Sequence, residues 1–322
     1  MHDGAEEWVT ADIAGIVSPF AHRCRQSNGV WSRHDPDRDQ LVRVHLCGVR
    51  GSTPSVGAAF AGIGGHTSCV ALAHDDEEAP RLLLDAGTGL RAIPALMQGE
   101  PFRGTIMLGH LHWDHVQGLP FFRSGDRPDA NTRVLLPEQG VPAFDLLCQM
   151  MSPPAFPIRP DELRGTWSFE AIDEGVHSVE GFTVLAREIP HKGGRTFGYR
   201  ISDRSSSIAY LSDHGPAGVL GPGPDGLGPY HESALALCDG VDLLIHDAQY
   251  TASELPARVN FGHSAVDYPV ELGRRAHAKT VLLFHHDPDR TDREVAAIEL
   301  GFRSTAGIAV VAAREGAVFQ LG

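Results

Sequence analysis

The chain of 322 residues can hold one large domain or two small ones, and its 42% hydrophobic content supports a sizeable core. Acidic residues number 41 against 27 basic ones, and this net charge of −14 argues against sequence-independent binding of nucleic acid. No apolar run reaches the roughly 18 residues a membrane span needs, and the opening Met1-His-Asp-Gly-Ala-Glu-Glu lacks the regions of a secretory signal, so a cytoplasmic setting is expected. Cys24, Cys47, Cys69, Cys148 and Cys238 form no CxxC pair and are read as small buried hydrophobes.

Residues 1–40 are polar and weakly patterned, and are read as an extension preceding a single domain over 41–322. From Leu41 the register changes. Val42–Cys47 alternates like a strand, Arg50-Gly-Ser-Thr-Pro54 is a turn, and a Gly-rich loop from Gly57 to Gly65 leads into strands Ser68–Ala73 and Arg81–Asp85. Asp85-Ala-Gly-Thr-Gly89 opens a helix through Leu96. After strand Thr105–Leu108 come a short strand at Val134–Leu136, a helix at Ala143–Met151 and a Pro-rich loop at Ser152–Pro160. Strands are expected at Thr183–Glu188, Phe197–Ile201 and Ser207–Leu211, then a Gly/Pro loop at Gly215–Pro229 and a helix at Glu232–Cys238. Strand Val241–Ile245, helix Ala265–Ala278, strand Thr280–Phe284, helix Arg293–Leu300 and strands Ile308–Val311 and Ala317–Gln320 close the chain. Strands lead both halves with helices interleaved, which suggests two packed sheets covered outside by helices. No repeat shows at the level of motifs.

The chemistry concentrates in His110-Leu-His112-Trp-Asp114-His115, directly after the apolar run Thr105-Ile-Met-Leu108. A strand end followed by a tight loop can turn several side chains toward one point. Imidazoles and a carboxylate suit zinc and related divalent ions. Four such groups turned inward without a cation would be hard to satisfy. His191, Asp213, His246-Asp247 and His285-His286 share one setting, since each follows an apolar run. Taken singly, each also reads as a capping Asp or a carbonyl-bonded His. Loops gathered at one edge of a sheet are where sites are built.

Together these residues resemble the metallo-β-lactamase fold superfamily, and within it the phosphodiesterase branch of tRNA 3′-processing endonuclease Z and small-molecule cyclic phosphodiesterases. The resemblance runs from about Val42 to the C-terminus. It rests on the ligand block, on Asp85-Ala-Gly-Thr-Gly89, His191, Gly198-Tyr-Arg-Ile201, Tyr210-Leu-Ser-Asp213, His246-Asp-Ala248, Gly262-His-Ser264 and Leu283-Phe-His285. It implies an αββα sandwich of two mixed β-sheets with helices on the outer faces. It implies two divalent metal ions, zinc first, with manganese or iron also suited to the ligands. One ion would take His110, His112 and His191, the other Asp114, His115 and His285, with Asp213 between them. Asp85 would accept a hydrogen bond from a ligand His. His263 is the candidate general acid, oriented by Asp247, and Asp114 joins them as a candidate catalytic residue. His246 is open to either a catalytic or a supporting role.

Two departures matter. The endonucleases carry Glu where this chain has Asp247, and the long Gly- and basic-rich arm they use to grip tRNA has no counterpart here. The stretch between His115 and His191 is Pro-rich and not basic. The implied function is therefore hydrolysis of a small phosphodiester, a cyclic nucleotide or cyclic sugar phosphate, by a metal-bridging hydroxide. The alternatives are an RNA 3′-end-processing endonuclease and an iron-dependent oxidoreductase on the same fold. The expected partner is that small substrate, without membrane or nucleic acid; a homodimer contact through 1–40 or the Pro-rich loop stays open. Arg50, Lys192 and Arg195 are read as solvated charge, Trp113 as a packing residue and His286 as packing or surface.

Overall fold

The computed structural model describes residues 41–305 and 307–322, so the stretch read as an extension, 1–40, lies outside the described residues. The first six strands are β1 (Val42–Gly48), β2 (Cys69–His74), β3 (Leu82–Leu84), β4 (Arg103–Met107), β5 (Asn131–Pro137) and β6 (Thr166–Ile172). Next come β7 (Gly175–Val179), β8 (Phe182–Glu188), β9 (Phe197–Ser202), β10 (Ser207–Leu211), β11 (Leu243–Asp247), β12 (Thr280–Phe284), β13 (Ala309–Ala312) and β14 (Val318–Leu321). The helices are α1 (Ile93–Leu96), α2 (Trp113–Val116), α3 (Ala143–Met150), α4 (Pro216–Leu220), α5 (Glu232–Cys238), α6 (Leu255–Arg258), α7 (Asp267–Arg275) and α8 (Asp292–Phe302).

Period-two alternation builds the layers. Val70 and Leu72 of β2 face the second sheet, while Cys69 and Ala71 face the outer helices. In β12, Leu282 and Phe284 point between the sheets, and Val281 and Leu283 meet the outer layer with Tyr268 and Leu272 of α7. The result is one buried seam between two sheets and one apolar layer outside each, the αββα sandwich expected.

Each sheet has seven strands, in the orders β14-β1-β2-β3-β4-β5-β6 and β13-β12-β11-β10-β9-β8-β7. The first runs antiparallel from β14 to β3 and parallel from β3 to β6. The second runs antiparallel from β7 to β10 and parallel from β10 to β13. The two sheets thus repeat one pairing scheme that motif comparison does not reveal. Parallel neighbours end on the same edge, so the loops after β3, β4, β10, β11 and β12 open where open α/β sheets bind ligands.

The expected elements are present with shifted ends. Helix Ala265–Ala278 shortens to α7, the helix expected from Asp85 to Leu96 is a 3₁₀ turn at Thr88–Ala92 followed by α1, and the Gly215–Pro229 loop contains α4. β6 and β7 were not anticipated. Both are sheet edges with few buried residues, so they lack the apolar face that marks a strand in sequence. Leu72 is fully buried in the seam. Leu72→Ala should cost about 2–5 kcal/mol of unfolding free energy, read as a lower urea midpoint at unchanged m-value.

Candidate metal centre

β4 runs into His110 and His112, and α2 then presents Asp114 and His115. His191 follows β8, Asp213 follows β10, Asp247 ends β11 and His285 follows β12. These loops meet at the open edge of the seam in two sets. His110, His112, His191 and Asp213 form one; Asp114, His115, Asp213 and His285 form the other, and within each set the candidate ligand atoms lie within 4.8 Å of one another. Asp213 is common to both. Its Oδ1 lies 2.9 Å from His115 Nε2 and 3.0 Å from His285 Nε2. Its Oδ2 lies 3.5 Å from both His110 Nε2 and His191 Nε2. Asp114 Oδ2 sits 3.2 Å from both His115 Nε2 and His285 Nε2. All but the half-buried His112 are buried.

The electrostatics explain how the cluster tolerates burial. Burial alone would push His115 down, but Asp213, Asp114 and Asp85 outweigh it and hold the imidazole well above its ordinary value. His285 is likewise drawn up to about 8 against its burial, chiefly by Asp213. Burial would raise Asp213 and Asp114, yet the surrounding imidazoles, His115 foremost, hold both well below the carboxylate range. His110 is pushed well down by burial and by His115, and His191 to about 4 by burial.

Both ring nitrogens of His110, Nε2 of His115 and Oδ1 of Asp213 are buried without a hydrogen bond. Buried polar atoms are rarely left so. Lone pairs converging on two points, from imidazole and carboxylate, fit a pair of divalent cations.

The surroundings hold these side chains in place. Asp85 takes a hydrogen bond from His115 Nδ1 at 2.7 Å, the Gly109 amide at 2.7 Å, the Tyr210 hydroxyl at 2.7 Å and Ser212 Oγ at 3.1 Å. With Nδ1 committed to Asp85, His115 turns its Nε2 toward the site. His191 Nδ1 donates to the Gly262 carbonyl at 2.6 Å, which likewise turns its Nε2 to the site. The Ser52 amide donates to Asp114 Oδ2 at 2.6 Å. Asp85 and His285 adopt left-handed backbone, φ 60° and 56°, a conformation that clusters at functional sites. Gly51 is required beside the ring, since a Cβ there would lie 2.3 Å from His285 Nδ1.

His263 Nδ1 bonds Asp247 Oδ2 at 2.8 Å, and its ring stacks on His285 with centroids 4.9 Å apart. Asp247 also accepts the amides of His214 (3.2 Å) and Gln249 (3.0 Å). Asp247, His263 and His285 form a third grouping with ligand-like spacing. His246 turns away from the site. Its Nδ1 donates to the Asp247 carbonyl at 2.7 Å, so its Nε2 must accept from His214 Nδ1 at 2.8 Å. His214 Nε2 then accepts from His231 Nε2 at 2.7 Å, and His231 Nδ1 accepts the Ala234 amide at 3.4 Å. The chain has one consistent direction, with a backbone group at each end and every imidazole neutral. Burial enforces this, holding His231 and His246 at about 4 and His214 well below its ordinary value. Neither His214 nor His231 was singled out in the sequence; only the adjacency of His214 to Asp213 hinted at it.

Two readings change. Arg50 is fully buried and donates to the carbonyls of Gly64, Asp287 and Arg290, so it is a cross-link between loops and not solvated charge. Trp113 does not pack; it is 76% exposed. Arg195 stays a surface charge as expected, paired with Glu188 and Asp173. Lys192 is exposed as expected, and His286 packs, donating to the Ala313 carbonyl at 3.0 Å.

The chain belongs to the family described as the beta-lactamase superfamily domain, which matches residues 80–286. Ribonuclease Z from Anoxybacillus flavithermus is 26% identical over 266 residues, 69% of this chain and 81% of the relative. Ribonuclease Z from Geobacillus kaustophilus is 26% identical over 223 residues, 56% and 69% of the two chains. Among solved structures, human tRNase Z, short form, superposes with a TM-score of 0.58 at 20% identity, covering 87% of this chain and 99% of its own. A diphosphatase from the PhnP family gives 0.60 at 16% identity, with 87% and 98% covered. The metallo-β-lactamase fold and the likeness to its phosphodiesterase branch, read first from motifs, hold on these comparisons.

Protons on His115 and His285 occupy the nitrogens a cation would need. Metal uptake near pH 7 should therefore release roughly two protons per chain, measured by calorimetry in buffers of different ionisation enthalpy. As pH rises through about 8, where His285 titrates, release should fall by roughly one. Affinity should weaken as pH drops below that point. Uptake without proton release would show that these imidazoles are not the binding groups.

Proposed function

We propose that the protein is a dinuclear metal-dependent phosphodiesterase acting on a small diester, with zinc the first expected ion. The chain is an enzyme, a metal-dependent hydrolase of ester bonds, on its family match and its ribonuclease Z relatives. The observation that carries the finer reading is the pair of ligand sets sharing Asp213, with the His263–Asp247 pair alongside. His110, His112 and His191 would hold one ion, and Asp114, His115 and His285 the other, with Asp213 bridging. Two such ions supply charge neutralisation on the phosphoryl oxygens and a nucleophilic water at neutral pH.

The remaining work falls to the chain's own groups. Asp114 accepts the Ser52 amide, which fixes the carboxylate against the site. Asp85 holds the tautomer of His115. Asp247 holds Nδ1 of His263, leaving Nε2 to give a proton to the departing alkoxide oxygen. Substrate size is argued from charge. Arg159 and Arg164, the arginines of the loop between α3 and β6, pair with Asp161 and Asp126, so that loop offers little free positive charge to a nucleic acid backbone. The second reading, RNA 3′-end processing, is favoured by the names of the relatives.

His263→Ala should keep the metals and lose about 10²–10⁴-fold in turnover on a diester with an alkyl leaving group. On a nitrophenyl diester, whose leaving group needs little protonation, the loss should shrink markedly. Equal losses on both substrates, or lost metal, would make His263 structural or a ligand. The substrate class is tested by side-by-side rates on cyclic nucleotides and a precursor tRNA across a salt series. Small diesters should be cleaved with little salt dependence, whereas comparable tRNA cleavage with a steep salt slope would establish the RNA reading.

A further inference from the structure

Gln249, two residues after Asp247, is 3% exposed and is bonded toward both carboxylates that matter for the chemistry. Its backbone amide donates to Asp247 Oδ1 at 3.0 Å, and Asp247 Oδ2 holds His263 Nδ1 at 2.8 Å. Its side-chain Nε2 donates to Ser52 Oγ at 3.0 Å, and the Ser52 amide donates to Asp114 Oδ2 at 2.6 Å. Gln249 thus links a carboxylate of the ligand sets to the carboxylate that orients the candidate acid. Arg290 fixes its main chain from the other side, donating to the Gln249 carbonyl at 3.1 Å. Ser52 is exposed and holds a left-handed backbone, φ 62°, which is costly for a residue with a side chain. In that conformation its amide meets Asp114 while its hydroxyl meets Gln249. One atom of this arrangement has no partner: Gln249 Oε1 is buried without a hydrogen bond. A buried carbonyl oxygen left so is costly.

We propose that Gln249 Oε1 accepts a hydrogen bond from a hydroxyl on the leaving alcohol of the phosphodiester, which makes the substrate a diester of a polyol such as a sugar. The inference rests on the phosphodiesterase reading and adds to it the chemistry of the alcohol. An unpartnered carbonyl oxygen calls for a donor. The phosphoryl oxygens of a diester anion only accept, so the partner belongs to the alcohol and not to the phosphate. A cationic amine would lie beside the two metal ions of the reading and be repelled, which leaves a neutral hydroxyl. The leaving side is assigned by Asp247, since the carboxylate that takes the Gln249 amide also holds His263, the proposed proton donor to the departing oxygen. Such an acceptor discriminates by chemistry: an analogue lacking the hydroxyl leaves Oε1 unpaired in the complex.

The test uses the full chain loaded with zinc and measures phosphonate binding by calorimetry. Hydroxymethylphosphonate is compared with ethylphosphonate, and hydroxyethylphosphonate with propylphosphonate. Within each pair the phosphonate head is shared and a hydroxyl replaces a methyl. The hydroxyl member of at least one pair should bind roughly 10-fold tighter than its methyl counterpart. Gln249→Met, which keeps the volume and removes the acceptor, should abolish that preference. Gln249→Glu keeps an acceptor oxygen and should keep the preference, even where its charge weakens both members of a pair. Ser52→Ala alters an exposed position and releases the amide from its anchor, so it should narrow the ratio. Where methionine at this buried position unfolds the chain, an unchanged ratio in Ser52→Ala overturns the proposal. Equal affinities within both pairs in the natural chain, or a preference that survives Gln249→Met, also overturn it. So does a preference lost in Gln249→Glu, which would make the amide nitrogen the contact. If no phosphonate binds the zinc-loaded chain, the phosphodiesterase reading falls and this inference with it. Binding without a hydroxyl preference sinks this inference alone.

Discussion

Asp213 is buried with both carboxylate oxygens facing imidazoles from both sheets, and the architecture of the open edge answers to that placement. A carboxylate cannot be carried into a protein interior without compensating charge. Asp114 and Asp85 deepen the demand, since they lie within hydrogen-bonding distance of the same His115. In the metal-free chain protons on His115 and His285 meet it. Cations at the two ligand sets would meet it better, because they also use the idle lone pairs of His110 and of Asp213 Oδ1. Metal binding and consolidation of this edge are then one process, and the binding energy contributes to folding.

That charge cluster explains why so much polar machinery crosses the seam. Asp85 extends from the end of β3 in the first sheet, yet Tyr210 and Ser212, which donate to it, belong to β10 and its following loop in the second. The same carboxylate therefore fixes a ligand tautomer and ties the sheets together. On the far side, the His231–His214–His246 chain reaches the backbone carbonyl of Asp247. Its members are neutral, so the chain adds no buried charge to a region already crowded with it.

How much of this was legible follows from the physics of each signal. The block from His110 to His115 is local, so its ligand types and spacing show directly. His191, Asp213 and His285 are distant in sequence but share a setting, the end of an apolar strand, and that setting marks one sheet edge. His214 and His231 carry no such mark. Their partners are set by the approach of the α5 N-terminus to the loop after β10, which no periodicity records. Arg50 was misread because its neutralisers are mostly carbonyl oxygens of Gly64, Asp287 and Arg290, and carbonyls leave no trace in sequence. β6 and β7 escaped because an edge strand without a buried face resembles a loop. The repeated pairing scheme of the two sheets escaped for a related reason: hydrogen-bond topology constrains backbone direction, not side-chain identity.

The division of labour between His263 and His285 is the sharpest consequence of the geometry. The rings stack 4.9 Å apart and both are buried, yet they are bound differently. His285 directs Nε2 at Asp114 and Asp213, with Nδ1 left without a hydrogen bond beside Gly51. His263 directs Nδ1 at Asp247, a carboxylate already engaged by two backbone amides. A carboxylate held in this way fixes the orientation of the imidazole it bonds. One ring is thus tied to the charge cluster, and the other is bonded to Asp247 at its margin, with the same Nδ1 3.8 Å from Asp213 Oδ2. A group that gives a proton to a leaving oxygen must keep a ring nitrogen out of the ligand sets, and the bond to Asp247 uses only Nδ1 of His263. The bond to Asp247, and not proximity to the ligand sets, is thus what favours His263 as the proposed acid.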